Sequence, residues 1–206
     1  VHKYSKDGVD VILIGHKGHP EIEGTMGQYD SAIGHIHLVE SEEDVAKLNI
    51  DNKDIAYVTQ TTLSIDDTAE IINELTKKYP NIISPTKSDI CYATQNRQDA
   101  VKSILKYCNY LLVIGSVNSS NSRRLAELAL KNNIPSRLID SSRDIKLGEL
   151  KDKKVIGITA GASAPKILLD EVTDYLISKG AVLNDIEHDA IKENIVFSIP
   201  KELRNL

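Results

Sequence analysis

The chain has 206 residues, 41% of them hydrophobic and 27% charged, with a formal net charge of −5, which is enough for one large domain or two small ones. Neither half carries a basic stripe, which argues against a nucleic-acid or membrane surface, and no apolar stretch approaches the roughly 18 to 20 residues that span a bilayer. Two cysteines, no tryptophan and one phenylalanine fit a reduced, cytoplasmic protein better than a disulfide scaffold, and Val1-His2-Lys3-Tyr4-Ser5-Lys6 lacks the apolar segment of a signal peptide.

In chain order, the apolar run 10–14 predicts a strand, followed by the polar loop Gly15-His16-Lys17-Gly18-His19-Pro20-Glu21 and a helix over 20–28. A strand at 36–40 and a helix at 42–48 come next. Then follow a strand at 55–59, the loop Thr59-Gln60-Thr61-Thr62 and a helix at 65–79. Beyond Ser84-Pro85-Thr86 the spacing predicts a helix at 93–108, a strand at 110–114, the loop Gly115 through Asn121 and a helix at 120–132. Strands at 136–140 and 154–159, the loop Thr159-Ala160-Gly161-Ala162-Ser163 and a helix at 164–179 complete the pattern. Apolar strands alternating with helical stretches are the mark of α/β architecture, a parallel sheet covered on both faces.

Sliding the chain against itself by 100 positions superposes these elements without a gap. Ile14-Gly15 falls on Ile114-Gly115, Leu38-Val39-Glu40-Ser41 on Leu138-Ile139-Asp140-Ser141, Asp44 on Asp144 and Thr59 on Thr159. The expectation is two similar parallel-sheet α/β domains, 1–87 and 88–182, with a tail at 183–206. Ser41 and Ser64, each followed by acidic residues, are expected as helix N-caps, and Ser141 with Asp144 repeats the first of them. Shifted back by 100, the helix at 93–108 would start before residue 1, so Val1 answers to Val101 in mid-helix. The chain therefore reads as the C-terminal part of a longer protein.

Each loop follows a strand and precedes a helix, the place where α/β sheets build binding crevices. Ser119, Ser120, Asn121 and Ser163 offer hydroxyl and amide donors at two helix starts, which suits a diphosphate, though the same residues are ordinary N-caps. The loop lacks the Gly-Lys-Ser/Thr ending of a nucleotide triphosphate site. His19, Glu21 and Thr61 form a second group, yet Glu21 is also a normal first-turn acid on a helix begun by Pro20. Thr62 is the weaker neighbour, turned away by alternation. Cys91 has a soft thiolate donor suited to an iron–sulfur centre, whereas a lone cysteine is more often a small buried hydrophobe. Cys108, among leucines, reads as core. No third or fourth ligand accompanies His16 and His19, or His35 and His37, so zinc is disfavoured. His16 is expected to shape its loop, and His35 and His37 to face solvent.

The string from Ile14 to Gln28 resembles a signature of the 4-hydroxy-3-methylbut-2-enyl diphosphate reductase (LytB) family of the non-mevalonate isoprenoid pathway. So do Thr59 through Ser64, Asp89-Ile90-Cys91-Tyr92-Ala93-Thr94 with Asn96-Arg97-Gln98, Gly115 through Arg124, Thr159 through Pro165, and Glu193-Asn194-Ile195-Val196-Phe197. The resemblance implies three α/β domains in a trefoil around a [4Fe-4S] cluster, of which this chain is similar to the second and third. It implies that Cys91 is a cluster ligand, with the other cysteines and two substrate-facing histidines in a domain absent here, so the isolated segment would be inactive. It further implies Glu21 as proton donor, Thr61 as relay, His19 as a donor to the diphosphate, and ferredoxin or flavodoxin as electron source. The alternatives on the residues alone are a diphosphate- or phosphosugar-binding module without redox activity, and a phosphosugar isomerase-like domain using Glu21 and His19.

Overall fold

The computed structural model describes residues 1–52, 54–184 and 200. After α1 (His2–Lys6) come β1 (Asp10–Ile14), α2 (Pro20–Met26), β2 (Ile36–Val39), α3 (Glu42–Lys47), β3 (Ile55–Thr59) and α4 (Ile65–Lys78). The second half holds α5 (Tyr92–Ile104), β4 (Tyr110–Ile114), α6 (Ser120–Lys131), β5 (Ser136–Ile139), a 3-10 turn at Ser142–Asp144, α7 (Leu147–Leu150), β6 (Ile156–Ala160) and α8 (Lys166–Ser178). They form two separate three-stranded parallel sheets, ordered β2-β1-β3 and β5-β4-β6. No helix among the described residues is long and apolar enough to cross a membrane.

The first strand of each half is the central one, so it is covered on both faces and all five of its residues are buried. That explains the unbroken apolar runs Val11-Ile12-Leu13-Ile14 and Leu111-Leu112-Val113-Ile114. Ile12 and Ile14 pack with Val39, Val45, Ile71 and Leu75 under α3 and α4. In the second lobe, Leu112 and Ile114 pack with Ile139, Leu150, Val172 and Leu176, while Leu111 and Val113 meet Val101, Leu105, Leu125 and Ala129 of α5 and α6. Because the chain leaves the central strand to one side and returns on the other, a crevice opens between the C-terminal ends of β1 and β3, and again of β4 and β6.

The repeat holds for the first two strands and then slips. Ile14 pairs with Thr59, whereas Ile114 pairs with Ala160, so Thr59 answers to Ala160 and Gln60 to Gly161. The gap-free superposition of Thr59 on Thr159 is thereby corrected. The cause lies between the second and third strands, where the single helix α3 is replaced by a 3-10 turn followed by α7. The expected caps hold at Ser64 and at Ser141, which forms a capping box with Asp144, and differ at Ser41. Ser64 Oγ accepts from the Asp67 N–H at 3.3 Å, but Ser41 donates to Asp44 instead. In both lobes the aspartate supplies the acceptor: Asp44 takes the N–H of Glu40, and Asp144 those of Asp140 and Ser141. Helix α5 ends at Ile104 rather than 108, since Leu105 and Cys108 turn inward to feed Tyr110 into the sheet. The motif at Glu193–Phe197 and nearly all of the expected tail lie outside the described residues.

Candidate active site at the facing strand ends

In the first lobe the Gly15 N–H still bonds Val39 at 3.0 Å, and the backbone then turns away through Gly18 at φ 79°. Position 15 has no room for a side chain, because a Cβ there would lie 2.2 Å from Ile22 Cδ1. Gln60, fully buried, joins the two loops of this crevice. Its Oε1 accepts from the His16 N–H at 3.1 Å and its Nε2 donates to Thr62 Oγ1 at 3.1 Å. Thr62 is thus turned towards Gln60, and Thr61 is left exposed.

His19 is the N-cap of α2, an unusual residue for that place. Its Nδ1 accepts from the Glu21 N–H at 3.1 Å, so a neutral ring carries its proton on Nε2. That nitrogen lies 2.6 Å from Ser120 Oγ of the other lobe. Glu21, half-buried, accepts the Thr61 N–H on Oε1 at 2.8 Å, and the Thr61 carbonyl accepts the Cys91 N–H at 3.0 Å. One peptide unit on either side of Thr61 therefore connects Glu21 with Cys91. Asp89 fixes the Cys91 loop from below by accepting the Thr59 N–H at 3.0 Å.

Cys91 is exposed, forms no disulfide and occupies the N-cap of α5. Among the described residues no three His, Cys, Asp or Glu side chains converge on a metal position. The free, outward sulfur fits one thiolate ligand of a cluster whose other ligands come from elsewhere. Cys108 is core as expected, its thiol pushed up by burial.

In the second lobe Ser119 caps α6 by accepting the Ser122 N–H at 3.3 Å. Asn121 is only 6% exposed, yet neither its Oδ1 nor its Nδ2 has a partner among the described residues. A buried amide left open in this way costs about 1–3 kcal/mol and marks a place where a ligand would complete the bonding. Ser163 is exposed on the loop after β6, beside β4, at the same sheet edge as Ser119–Asn121.

Several contacts between the lobes are not foretold by the sequence. Gln98 is buried, and bridges the lobes by donating to the Leu63 carbonyl at 2.8 Å and accepting the Ile65 N–H at 3.1 Å. Lys102 pairs with Asp66 at 2.9 Å and Lys131 with Asp67 at 2.6 Å. His16, beyond shaping its loop, contacts Arg124 across the lobes. Its imidazole is held below the usual range by burial first and by Arg124 second. His35 and His37 are not simply solvent-facing: the His37 ring packs edge-on to His35 and lies 3.7 Å from the buried Asp10 carboxylate.

A two-lobed parallel α/β protein, with donor-rich strand-end loops that meet across the lobes at His19 and Ser120, is the class these features define. The chain belongs to the LytB protein family, whose sequence profile matches residues 1–177. It is 56% identical over 206 residues to the 4-hydroxy-3-methylbut-2-enyl diphosphate reductase of Pseudomonas putida (strain W619), covering 99% of this chain and 65% of that protein. The reductase of Psychrobacter sp. (strain PRwf-1) is 53% identical, with 64% of its length covered. Among solved structures, the E-1-hydroxy-2-methyl-but-2-enyl-4-diphosphate reductase of Plasmodium falciparum superposes with a TM-score of 0.78 at 38% identity, over 86% of this chain and 54% of that one. The chain thus spans slightly less than two thirds of the curated relatives it matches.

Proposed function

We propose that this chain forms two lobes of a 4-hydroxy-3-methylbut-2-enyl diphosphate reductase. The reaction replaces the allylic hydroxyl by hydrogen, taking up two electrons and two protons and releasing water, to give isopentenyl and dimethylallyl diphosphates. The observation that carries this reading is the open, buried amide of Asn121 beside the His19–Ser120 contact. There the acid-bearing loop of the first lobe meets the donor-rich helix start of the second.

Ser119, Ser120, Asn121 and Ser163 bind and orient the diphosphate through hydroxyl and amide donors, helped by the N-terminus of α6. His19 reaches the same anion through its Nε2–H. Glu21 delivers protons, one to the departing hydroxyl and one to the carbon skeleton, and the Thr61 N–H holds its carboxyl in place. The Thr61 hydroxyl, exposed beside it, relays those protons. A [4Fe-4S] cluster, when bound, supplies the electrons one at a time, and from this chain Cys91 would hold it. Ferredoxin or flavodoxin would replenish them.

The test uses the full-length protein, purified without oxygen and assayed with a chemical one-electron reductant. Glu21→Gln should abolish turnover yet still bind the substrate, and Cys91→Ser should lose the brown iron–sulfur absorbance. Full turnover by the Glu21 variant would overturn its role as proton donor. Diphosphate binding by a protein that never acquires a cluster would leave the binding-module reading instead.

A further inference from the structure

The internal repeat makes each lobe a control for the other. At the start of the helix that follows the central strand, the first lobe has Ile22 and the second has Ser122; both are fully buried. Ile22 packs on Gly15, and the neighbouring strand end carries Gln60, whose amide fills the crevice and takes the His16 N–H. In the second lobe the counterpart of Gln60 is Gly161, so nothing fills the crevice from that side. Ser122 occupies the remaining space. A Cβ at Gly115 or at Gly161 would each lie 2.2 Å from its Oγ. The one small side chain therefore sets how closely the two donor loops approach.

Ser122 also acts on Ser119. The Ser119 oxygen accepts the Ser122 N–H at 3.3 Å and the Ser122 hydroxyl at 3.1 Å. A serine hydroxyl has two acceptor lone pairs and one proton to donate. With both lone pairs engaged from inside the helix start, the proton is what Ser119 has left to offer outward. A phosphate oxygen requires a donor, and an unconstrained serine could equally present a lone pair.

We infer that Ser122 is a positioning residue for the anion site: it locks Ser119 as a hydrogen-bond donor, without touching the ligand. This rests on the diphosphate reading above and deepens it. Ser122 and Gly161 stand where the first lobe has the bulkier Ile22 and Gln60, so the second lobe's donor loops rest on a small hydroxyl side chain.

The experiment is calorimetric titration of the full-length protein with inorganic diphosphate, for the wild type, Ser122→Ala, Ser119→Ala and the double variant, with thermal melting run alongside. Loss of one net hydrogen bond should weaken binding by Ser122→Ala about fivefold while the melting temperature stays within a few degrees. Because the effect passes through Ser119, Ser122→Ala should cost nothing further in the Ser119→Ala background. A penalty that persists undiminished in that background would mean that Ser122 only packs, and would overturn the inference. So would wild-type affinity in Ser122→Ala. If Ser122→Ala melts early, Ser122→Cys, which keeps the side-chain shape and weakens its hydrogen bond, is read in its place. A wild type that does not bind diphosphate brings down the functional reading itself, and this inference with it.

Discussion

His19 Nε2 lies 2.6 Å from Ser120 Oγ, joining residues 101 positions apart in the chain, at the starts of helices in different lobes. The same ring caps α2 through Nδ1, so one side chain serves both local helix stability and the contact between lobes. His19→Asn separates these duties, since asparagine is a good N-cap but too short to reach Ser120. Thermal stability should change little, while affinity for the diphosphate substrate falls by about tenfold, the value of a charge-assisted hydrogen bond. Equal binding by wild type and variant would count against His19 as a ligand.

Two glycines with opposite surroundings give a stability test of the loop geometry. Gly161→Ala sets a Cβ 2.2 Å from the fully buried Ser122 Oγ and should cost about 1–3 kcal/mol through overpacking. Gly24, inside α2, has open space around it, so Gly24→Ala should stabilise by about 0.5–1 kcal/mol. Urea unfolding midpoints measure both, and the two shifts should have opposite signs.

The junction between lobes should respond differently to loss of a buried amide and of a surface charge. Gln98→Leu leaves the Leu63 carbonyl and the Ile65 N–H without their partner and should cost about 2 kcal/mol. Lys131→Ala removes a pair with Asp67 in which both side chains are well exposed, and should cost less than about 1 kcal/mol. Only the second loss should shrink as salt is raised.

His16 should make the junction acid-sensitive. Burial and Arg124 hold its imidazole below the ordinary value of 6.5, against the opposing pull of Glu40 and Glu127 and with a small push from His19. The folded state thus takes up this proton less readily than the unfolded chain. The stability due to neutral His16 is therefore present above pH 6.5 and drains away as pH falls below it. Melting temperatures between about pH 7.5 and 5.5 should drop more steeply for the wild type than for His16→Gln. Parallel curves would exclude His16 as the source.

What could be read from the sequence follows from how local each signal is. The six strands are short apolar runs, and the two central ones stand out because both of their faces are buried. His19, Glu21, Ser119 and Asn121 were visible because they follow strand ends, where side chains are free of the core. Gln60, Gln98 and Ser122 fall within the strings that carry the resemblance, but their roles were hidden, because each depends on packing between distant segments. The one-residue slip of the repeat was hidden because Thr59 and Thr159 are the same residue type, although the sheet register matches Thr59 with Ala160. His37 looked solvent-facing until the pairing of β1 with β2 brought it near Asp10.

Asn121 poses a choice between stability and binding. Its amide is buried, at 6% exposure, and has no partner among the described residues at either polar atom. Without ligand that side chain is a liability of about 1–3 kcal/mol; with a diphosphate in place the same amide donates to an anion and the liability becomes affinity. Asn121→Leu keeps the volume and removes both polar atoms. The ligand-free protein should then melt at the same temperature or a few degrees higher, while diphosphate affinity drops at least about tenfold. The wild type should gain more from added diphosphate than the variant does, because only a ligand that bonds the folded state raises its melting point. A variant that melts well below the wild type without ligand would show that Asn121 is satisfied within the protein, and the anion site would have to be sought elsewhere.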